Sequence, residues 1–549
     1  MKISELNHNI SKLFLKKKYQ DVIDLINDNI SQNDLTSQFL NILGASKLLK
    51  GSKKDQTEAL DYFEQGYNKE KTSHHALESL LNLANVSNIN KNPFKPLKYY
   101  EEAIKSFGYN KKLVIEMMYT YILLNNPKKI VNILEQSIKK NELDKKHIQN
   151  LSYFQHFDYK WSQQDFFEFS KKINNTLQKY PEEKMIPMNF NFNKKQKLAF
   201  FSSDIRLKHS ITKFLKVLLL GNERKNYEII IISNLKEKNY DETTLEFKLL
   251  ADKWVEINNL SDIEGINLIR GLNIDIVIDL MGYTSSNKIE YYKNRIAKKQ
   301  ILWLGYCNTT GLNEMDFLIS DKNLILKNEQ KLYSEKILYM ENIWNCYSIE
   351  KNKIPTSFEC PFEKNGYITF GSFNNFLKIN DDVISTWSKI LKNVQNSKLF
   401  LKSSINKYKS HLEEKFKEHG VQDRIIFKEY TDHDNHLKMY QNIDIALDTF
   451  PYNGVTTTFE AILNGLPVLT MKGFNFNSRC GESININLGM ESLIADDKED
   501  YIKKAVYLAT DFSKLKNIKN KIFSKRTKSV LFNETLFREN FFKLINELV

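Results

Sequence analysis

The chain has 549 residues, a length that usually folds into about three domains. Its hydrophobic share of 41% and charged share of 27% are typical of globular proteins, and 18 glycines and 9 prolines are too few for collagen-like or Gly/Pro-rich disordered chains. The net charge of +13 permits an anionic partner, but no basic run is interleaved with aromatic residues as in a nucleic-acid platform. We therefore expect no nucleic-acid partner.

The sequence has no feature typical of membrane insertion, secretion or a disulfide scaffold. No stretch approaches the roughly 18 apolar residues that cross a bilayer, and the opening segment MKISELNHNISKLFLKKKYQDV has no apolar signal-peptide core. The four cysteines are far apart in the sequence and form no CxxC pair, which argues against structural zinc. They are Cys307, Cys346, Cys360 and Cys480. We expect a cytoplasmic protein with reduced thiols and no transmembrane segment.

Residues 1–140 predict an array of helix pairs that resembles tetratricopeptide repeats. Three segments align so that a small residue recurs at one position and a large apolar residue three positions earlier. The small residues are Gly66, Ala103 and Ser137, and the large ones are Phe63, Tyr100 and Leu134. A small side chain lets two helices approach, and the larger one fills the gap beside it. Since the repeat signature is incomplete, another helical array is the alternative. The array of helices either offers a concave surface that binds polypeptide or serves as a structural cap.

From residue 197 onward, short apolar runs alternate with amphipathic helices, which is typical of buried parallel strands. The first series of runs is KLAFFSSD, YEIIIISN, NIDIVIDLMGY, KQILWLGY and DFLISD, and the second is YITFGSFN, KLFLKSS, RIIFKEY, IDIALDTFPY and PVLTMKG. Two such series predict two doubly wound lobes with a cleft between them. The predicted boundaries are 1–140 for the repeats, 141–196 for a helical linker, 197–350 and 366–512 for the two lobes, and 513–549 for C-terminal helices.

In such sheets, ligands bind beyond the carboxyl ends of the strands, so the residues after each run are candidates. Lys378 follows one run, where it could pair with a diphosphate or simply lie on the surface. Thr456 and Thr457 open a predicted helix whose amino end suits phosphate, although ordinary capping would also explain them. Glu460, one turn later, could accept from ribose hydroxyls or merely complement the helix dipole.

Two histidines also follow predicted strands. His436 could stack on a nucleobase or lie in a solvated loop, and His209 could contact a sugar or act as a base. A capping or core role for His209 is equally compatible with the sequence. The motifs HExxH, GxSxG, GxxxxGK[ST] and GxGxxG are absent, so the metalloprotease, hydrolase, P-loop and dinucleotide classes lack their central residues.

Together these segments resemble the catalytic region of the O-GlcNAc transferase/SPINDLY family, glycosyltransferase family 41, over about residues 197–512. The similar segments are DLMGYTSSNKIEYYKNRIAKKQILWLGYCNTTGL, FGSFNNFLKI, RIIFKEYTDHDNH, LDTFPYNGVTTTFEAILNGLPVLTM and GFNFNSR. Several of them look nearer to the SPINDLY and bacterial branch. The resemblance implies an N-terminal all-α tetratricopeptide-like superhelix followed by an α/β GT-B fold of two Rossmann-like lobes. It also implies an inverting, metal-independent enzyme that moves a sugar to Ser or Thr of protein acceptors.

The resemblance implies roles for individual residues as well. Lys378 resembles the essential lysine that contacts the diphosphate, and His209 the first-lobe histidine near the sugar. The nucleotide-sugar site implied by the family motifs contains Asn375, His436, Thr456, Thr457 and Glu460. The first lobe would take the acceptor side and the second the nucleotide-sugar. No metal or cofactor is expected, because the nucleotide-sugar is itself the donor substrate.

The chain departs from the animal enzymes at Val455 and Met439, where they have histidine and arginine. In addition, Cys307 replaces the usual proline of the Gly-Tyr-Pro loop. The first two changes leave the donor open between UDP-GlcNAc, which we favour, and GDP-fucose. The alternatives are therefore a GDP-fucose-dependent protein O-fucosyltransferase of the same fold, or a tetratricopeptide scaffold with an inactive transferase domain. The expected partners are a nucleotide-sugar and a protein or peptide acceptor, which the repeats could help to bind.

Overall fold

The computed structural model describes residues 2–89, 94–108, 111–124, 126–140, 145–157, 160–189, 195–207, 209–349, 354–403, 406–429 and 433–548. The chain divides into two compact units, Met1–Ile133 and Leu134–Val549. Among the helices of the described residues, none combines the length and the apolar character of a membrane span.

The described residues of the first unit form helices and no strand, as the repeat pattern predicts. The helices are α1 (Ile3–Leu15), α2 (Tyr19–Asn29), α3 (Ser37–Lys50), α4 (Lys53–Lys69), α5 (His74–Ile89), α6 (Phe94–Phe107), α7 (Lys111–Leu123) and α8 (Pro127–Lys140), the last of which crosses the unit boundary. All six aligned small and large positions are buried. A Cβ on Gly44 in α3 would lie 2.6 Å from Cε1 of Phe63 in α4, so a small residue lets these two helices pack closely.

The second unit begins with a helical segment and continues into two parallel sheets. The helical segment contains α9 (Lys145–Leu151) and α10 (Gln163–Asn174). The first sheet has the strands β1 (Gln196–Ser202), β2 (Tyr227–Ser233), β3 (Lys253–Glu256), β4 (Ile276–Asp279), β5 (Lys299–Leu302), β6 (Phe317–Asp321) and β7 (Lys336–Met340). Their spatial order is β3-β2-β1-β4-β5-β6-β7, and every pair is parallel. The helices between these strands are α11 (Ser210–Leu219), α12 (Glu242–Leu250), α13 (Asp262–Gly271) and α14 (Ile289–Lys293).

The second sheet repeats this plan. Its strands are β8 (Ile368–Ser372), β9 (Ser397–Ser403), β10 (Ile425–Glu429), β11 (Ile445–Leu447), β12 (Val468–Met471) and β13 (Ile494–Ala495), in the order β10-β9-β8-β11-β12-β13. The helices of this lobe are α15 (Pro361–Asn365), α16 (Asp381–Asn393), α17 (Asn406–Glu418), α18 (His433–Met439), α19 (Thr456–Leu463), α20 (Phe476–Leu488) and α21 (Lys498–Thr510). Both sheets have the doubly wound order of a Rossmann-like lobe, so the predicted α/β architecture is confirmed.

Two C-terminal helices complete the unit, α22 (Phe512–Lys525) and α23 (Glu534–Asn546). The last helix returns to the first lobe, where the ring of Phe541 lies 5.2 Å from that of Trp303 at the end of β5. Arg538 on α23 pairs with Glu223 of the first lobe at 3.0 Å. The end of the chain therefore ties the first lobe to the second.

Candidate functional site

The candidate site lies at the carboxyl ends of β8 and β11. These strands are neighbours in the sheet, and the strand order changes direction between them. Such a switch point leaves a crevice where ligands of doubly wound folds bind. The loop after β8 contains Asn374, Asn375 and Lys378, and the loop after β11 leads to the amino end of α19. Two segments about 80 residues apart in sequence are thereby brought to one place.

Lys378 directs its ammonium group into the protein interior. Its Nζ donates a hydrogen bond of 2.7 Å to the carbonyl oxygen of Asn453 and lies 3.9 Å from the centroid of the Tyr452 ring. Burial removes water from the ammonium group and lowers the pKa of Lys378, whereas the Asp448 carboxylate acts in the opposite direction. The alternative of an ordinary surface lysine is therefore wrong.

The amino end of α19 presents the three threonines in its first turn. Val455 is the N-cap and makes no side-chain cap, so the interpretation of the threonines as capping residues is wrong. The Thr457 hydroxyl donates to Oδ1 of Asn374 at 2.9 Å, and the Thr458 hydroxyl donates to the Gly454 carbonyl at 3.0 Å. The first N–H groups of a helix have no acceptor within the helix, and the helix dipole makes this end favourable for an anion.

Asp448, which is not among the residues predicted from the sequence, organises the loop between β11 and α19. Its Oδ1 accepts from the N–H groups of Gly454 at 2.7 Å and Thr449 at 2.9 Å, and from the Asn374 amide at 3.2 Å. Its Oδ2 accepts from the Thr470 hydroxyl at 2.9 Å. Burial raises the pKa of Asp448 to about 6, although these hydrogen bonds and Lys378 oppose the rise. The sequence does contain a signal for Asp448, because an acidic residue directly follows the apolar strand β11.

Asn375 begins the short turn that contains Lys378. Its side chain is exposed, and its Oδ1 accepts from the N–H of Leu377 at 3.1 Å, which caps the short turn that contains Lys378. The preceding residue, Asn374, is the buried amide that bridges Thr457 and Asp448. Asn375 thus supports the turn that contains Lys378, while Asn374 connects the loop after β8 with the loop after β11.

His436 and Glu460 form a second polar cluster beside the switch point. The His436 Nε2 lies 3.0 Å from Oε2 of Glu460, and its Nδ1 lies 2.7 Å from Nζ of Lys402, a residue that the sequence analysis missed. Burial lowers the pKa of Lys402 to about 8, against the attraction of Glu460. Glu460 also accepts from Tyr440 at 3.2 Å and from Tyr347 at 3.4 Å. In this structure Glu460 therefore holds protein groups, His436 among them.

His209 lies in the first lobe, between β1 and α11. It precedes α11 at the N-cap position but makes no side-chain cap, so the capping interpretation is wrong. Its Nε2 lies 3.6 Å from Oδ2 of Asp204, and its buried Nδ1 has no hydrogen-bond partner in the described part of the chain. Burial lowers the pKa of His209 and Arg206 adds to this effect, whereas Asp204 opposes it. These influences favour a neutral imidazole.

The two lobes are in direct contact near these groups. The ring of Phe214 on α11 lies 5.5 Å from that of Phe459 on α19, so the helix that follows His209 packs against the helix that begins at Thr456. This buried aromatic contact connects the segments that carry the site residues of the two lobes.

Comparison with known proteins agrees with this architecture. The profile of glycosyl transferase family 41 matches residues 124–352 and 356–541. A probable UDP-N-acetylglucosamine–peptide N-acetylglucosaminyltransferase SPINDLY of Solanum lycopersicum is 31% identical over 341 residues, which are 60% of this chain and 36% of that protein. The protein of the same description from Oryza sativa subsp. japonica is 33% identical over 334 residues, 58% of this chain and 35% of the relative. The matched region thus spans only about a third of these relatives.

A solved structure shares the fold over nearly the whole chain. A mutant of the O-GlcNAc transferase of Thermobaculum terrenum superposes with a TM-score of 0.75 and 20% identity, covering 94% of this chain and 98% of that one. This likeness shows that the helical N-terminal region followed by two Rossmann-like lobes is a GT-B fold preceded by repeats. Because the family profile also matches most of the sequence, the chain belongs to glycosyl transferase family 41.

Proposed function

We propose that this chain is a protein glycosyltransferase that moves a sugar from a nucleotide-sugar donor to the hydroxyl of Ser or Thr. The observation that carries the proposal is the convergence of the Lys378 ammonium and the amino end of α19 at the switch point of the second sheet. Both features attract a diphosphate, and both lie where a doubly wound lobe binds its ligand. The family membership and the printed names of the relatives support the same assignment.

The proposed chemistry is electrostatic. Transfer breaks the bond between the sugar and the nucleoside diphosphate, so negative charge develops on the departing phosphate. Lys378 and the first N–H groups of α19 would stabilise this charge from fixed positions, and preorganised donors of this kind usually make the largest single contribution to catalysis. We further propose that the reaction inverts the sugar and needs no metal. His209 is the candidate for contact with the sugar or for a base, because its environment favours the neutral imidazole.

The donor is proposed as UDP-GlcNAc, in line with the printed names of the relatives. GDP-fucose stays the second candidate, since Val455 and Met439 replace residues near the nucleotide of the animal enzymes. The acceptor is proposed to be a protein or peptide, and the helical repeats are a candidate surface for binding it.

A transfer assay on the full chain tests this proposal. The protein is incubated with acceptor peptides rich in Ser and Thr and with either UDP-GlcNAc or GDP-fucose, and the mass added to the peptide identifies the sugar. We expect an N-acetylhexosamine increment with the first donor. A deoxyhexose increment with the second donor would reassign the sugar. No increment with either donor, across a broad peptide library, would contradict the enzyme proposal and favour the scaffold alternative.

A further inference from the structure

One peptide group lies between the buried cation of the site and its buried carboxylate. The carbonyl oxygen of Asn453 accepts from Nζ of Lys378 at 2.7 Å, and the N–H of the next residue, Gly454, donates to Oδ1 of Asp448 at 2.7 Å. The dipole of this peptide group is therefore aligned between a positive and a negative side chain. Such an arrangement transmits the attraction of Asp448 to Lys378 and fixes the peptide group in one orientation.

The surroundings make this attraction strong. Asp448 is 2% exposed, so little water screens its charge. The groups that face Lys378 are the Asp448 carboxylate, the Cys480 and Cys307 thiols and the ring of Tyr452. The groups that face Asp448 are Lys378, Asn374, Thr470 and the N–H groups of Thr449 and Gly454, while the Tyr501 hydroxyl donates to its backbone carbonyl. Asp448 is thus the acid that offsets the cost of burying the Lys378 ammonium.

Asp448 is also connected to the amino end of α19, the second of the two groups proposed to attract a diphosphate. It accepts from the amide of Asn374, and this bond turns the Asn374 Oδ1 toward the Thr457 hydroxyl in the first turn of α19. A Cβ on Gly454 would lie 2.5 Å from both Oδ1 of Asn374 and Oγ1 of Thr457, so the loop packs tightly around these bonds. The Asp448 carboxylate therefore connects the turn that contains Lys378 with the amino end of α19.

We propose that Asp448 is a positioning residue, which acts through the Asn453–Gly454 peptide group to hold the Lys378 ammonium in place and charged for a nucleoside diphosphate. This inference rests on the proposed function, since a bound diphosphate is what the charged lysine would contact. Asp448 itself need not touch the donor. Its effect on catalysis is exerted through Lys378 and through the Asn374–Thr457 bond.

The test is Asp448→Asn, which keeps the shape and an acceptor oxygen but removes the charge. Activity that needs a protonated Lys378 falls as pH rises through the pKa of that lysine. Without Asp448 that pKa drops further, so we expect the alkaline limb of kcat/KM to move at least about one unit to lower pH. We also expect the Kd for UDP or GDP, whichever binds the wild type, to rise at least about tenfold at pH 8.

A matched control lies at the other end of the same strand. Asp444 precedes β11 and is also buried, and it accepts from the N–H groups of Thr369 at 2.9 Å and Phe362 at 3.1 Å. Asp444→Asn removes an equally buried charge away from the cleft. It is expected to lower stability while leaving the alkaline limb in place. If the alkaline limb moves equally in both variants, or in neither, the proposal is wrong.

Two further variants keep the inference testable if Asp448→Asn does not fold. Asp448→Glu retains the charge, so the alkaline limb of its kcat/KM profile should stay near the wild-type pH, although the rate falls. Thr470→Val removes only the bond to Oδ2, which should raise the pKa of Asp448 above about 6 and shift the acid limb to higher pH. If the pH profile of kcat/KM for Thr470→Val has the same acid and alkaline limbs as that of the wild type, the proposed role of Asp448 is wrong. If the wild type binds neither UDP nor GDP, the proposed function fails, independently of Asp448.

Discussion

Three side chains of the second lobe form a polar row at the site proposed for the nucleotide. Lys402, His436 and Glu460 form a hydrogen-bonded row, in which a protonated Lys402 donates to Nδ1 of His436 and leaves Nε2–H to donate to Glu460. The Tyr440 hydroxyl donates to the same Glu460 oxygen, Oε2, at 3.2 Å. The row fixes the tautomer and the ring plane of His436, which is the residue proposed to stack on the base.

Glu460→Gln tests this row. The amide weakens the bond from His436 and removes the charge that raises the pKa of Lys402, so this lysine loses its proton at a lower pH than about 8. We expect nucleotide affinity to fall about tenfold and to decline further between pH 7 and 8. Binding is measured by titration calorimetry at several pH values. Glu491→Gln, an exposed residue of the same lobe, is the control and should bind as the wild type does.

For single residues, the sequence predicted where the site side chains lie better than it predicted which way they point. Lys378, Thr456, Thr457, His436 and Glu460 lie at the carboxyl end of the second sheet as predicted. The adjacent amides Asn374 and Asn375 cannot be distinguished by residue type, because the course of the chain after β8 decides which one turns inward. Asp448 and Lys402 were missed since their importance depends on partners far away in the sequence.

The secondary-structure elements show a similar division. Every strand named in the sequence analysis is present, whereas β3, β7 and β13 were not identified. All three lie at sheet edges, where one side faces no neighbouring strand. An edge strand is less completely apolar: Lys253 and Glu256 of β3 are exposed, and β13 has only two residues. A search for apolar runs therefore finds the central strands and the apolar edge strand β10, but overlooks the other three edge strands.

The packing of α3 on α4 gives a prediction at the scale of elements. Gly44→Ala places a methyl group 2.6 Å from the Phe63 ring, and this overlap must be relieved by moving one helix or the ring. We expect the first unit to lose about 1–3 kcal/mol of unfolding free energy in a denaturant titration. Gly271→Ala is the control, since nothing lies within 4 Å of its added Cβ. Equal midpoints for the two variants would mean that the helices do not pack this closely.

In the second unit as a whole, polar contacts hold the lobes together. Arg479 on α20 forms two hydrogen bonds with Glu329 of the first lobe, at 2.7 and 2.8 Å, and Ser483 donates to Asp321 at 2.7 Å. The Arg479 side chain is 10% exposed and that of Glu329 is 18% exposed, so the pair is poorly screened. Together with α23, these contacts determine how the cleft residues of the two lobes face each other.

Arg479→Ala should loosen this arrangement. The variant removes both guanidinium donors from Glu329, which keeps only the N–H of Leu326 at 2.9 Å among its described donors. We expect the second unit to lose about 2–3 kcal/mol of stability. We also expect kcat to fall, because His209 and Lys378 belong to different lobes. Thermal unfolding and kinetics measure the two effects. The control is Lys364→Ala, which breaks an exposed pair with Glu359 and should change stability by less than about 0.5 kcal/mol. A variant as stable and active as the wild type would contradict this role of the pair.

The central claim is that Lys378 and the amino end of α19 bind a nucleoside diphosphate, and thermal unfolding with and without nucleotide tests it most directly. UDP and GDP are added to the wild type, to Lys378→Ala and to the exposed control Lys392→Ala. A ligand at about 100 times its Kd adds roughly 2.7 kcal/mol to the unit that binds it. We predict that one nucleotide raises the unfolding temperature of the wild type and of Lys392→Ala, and has little effect on Lys378→Ala. Equal stabilisation of all three proteins, or of none, would contradict the claim.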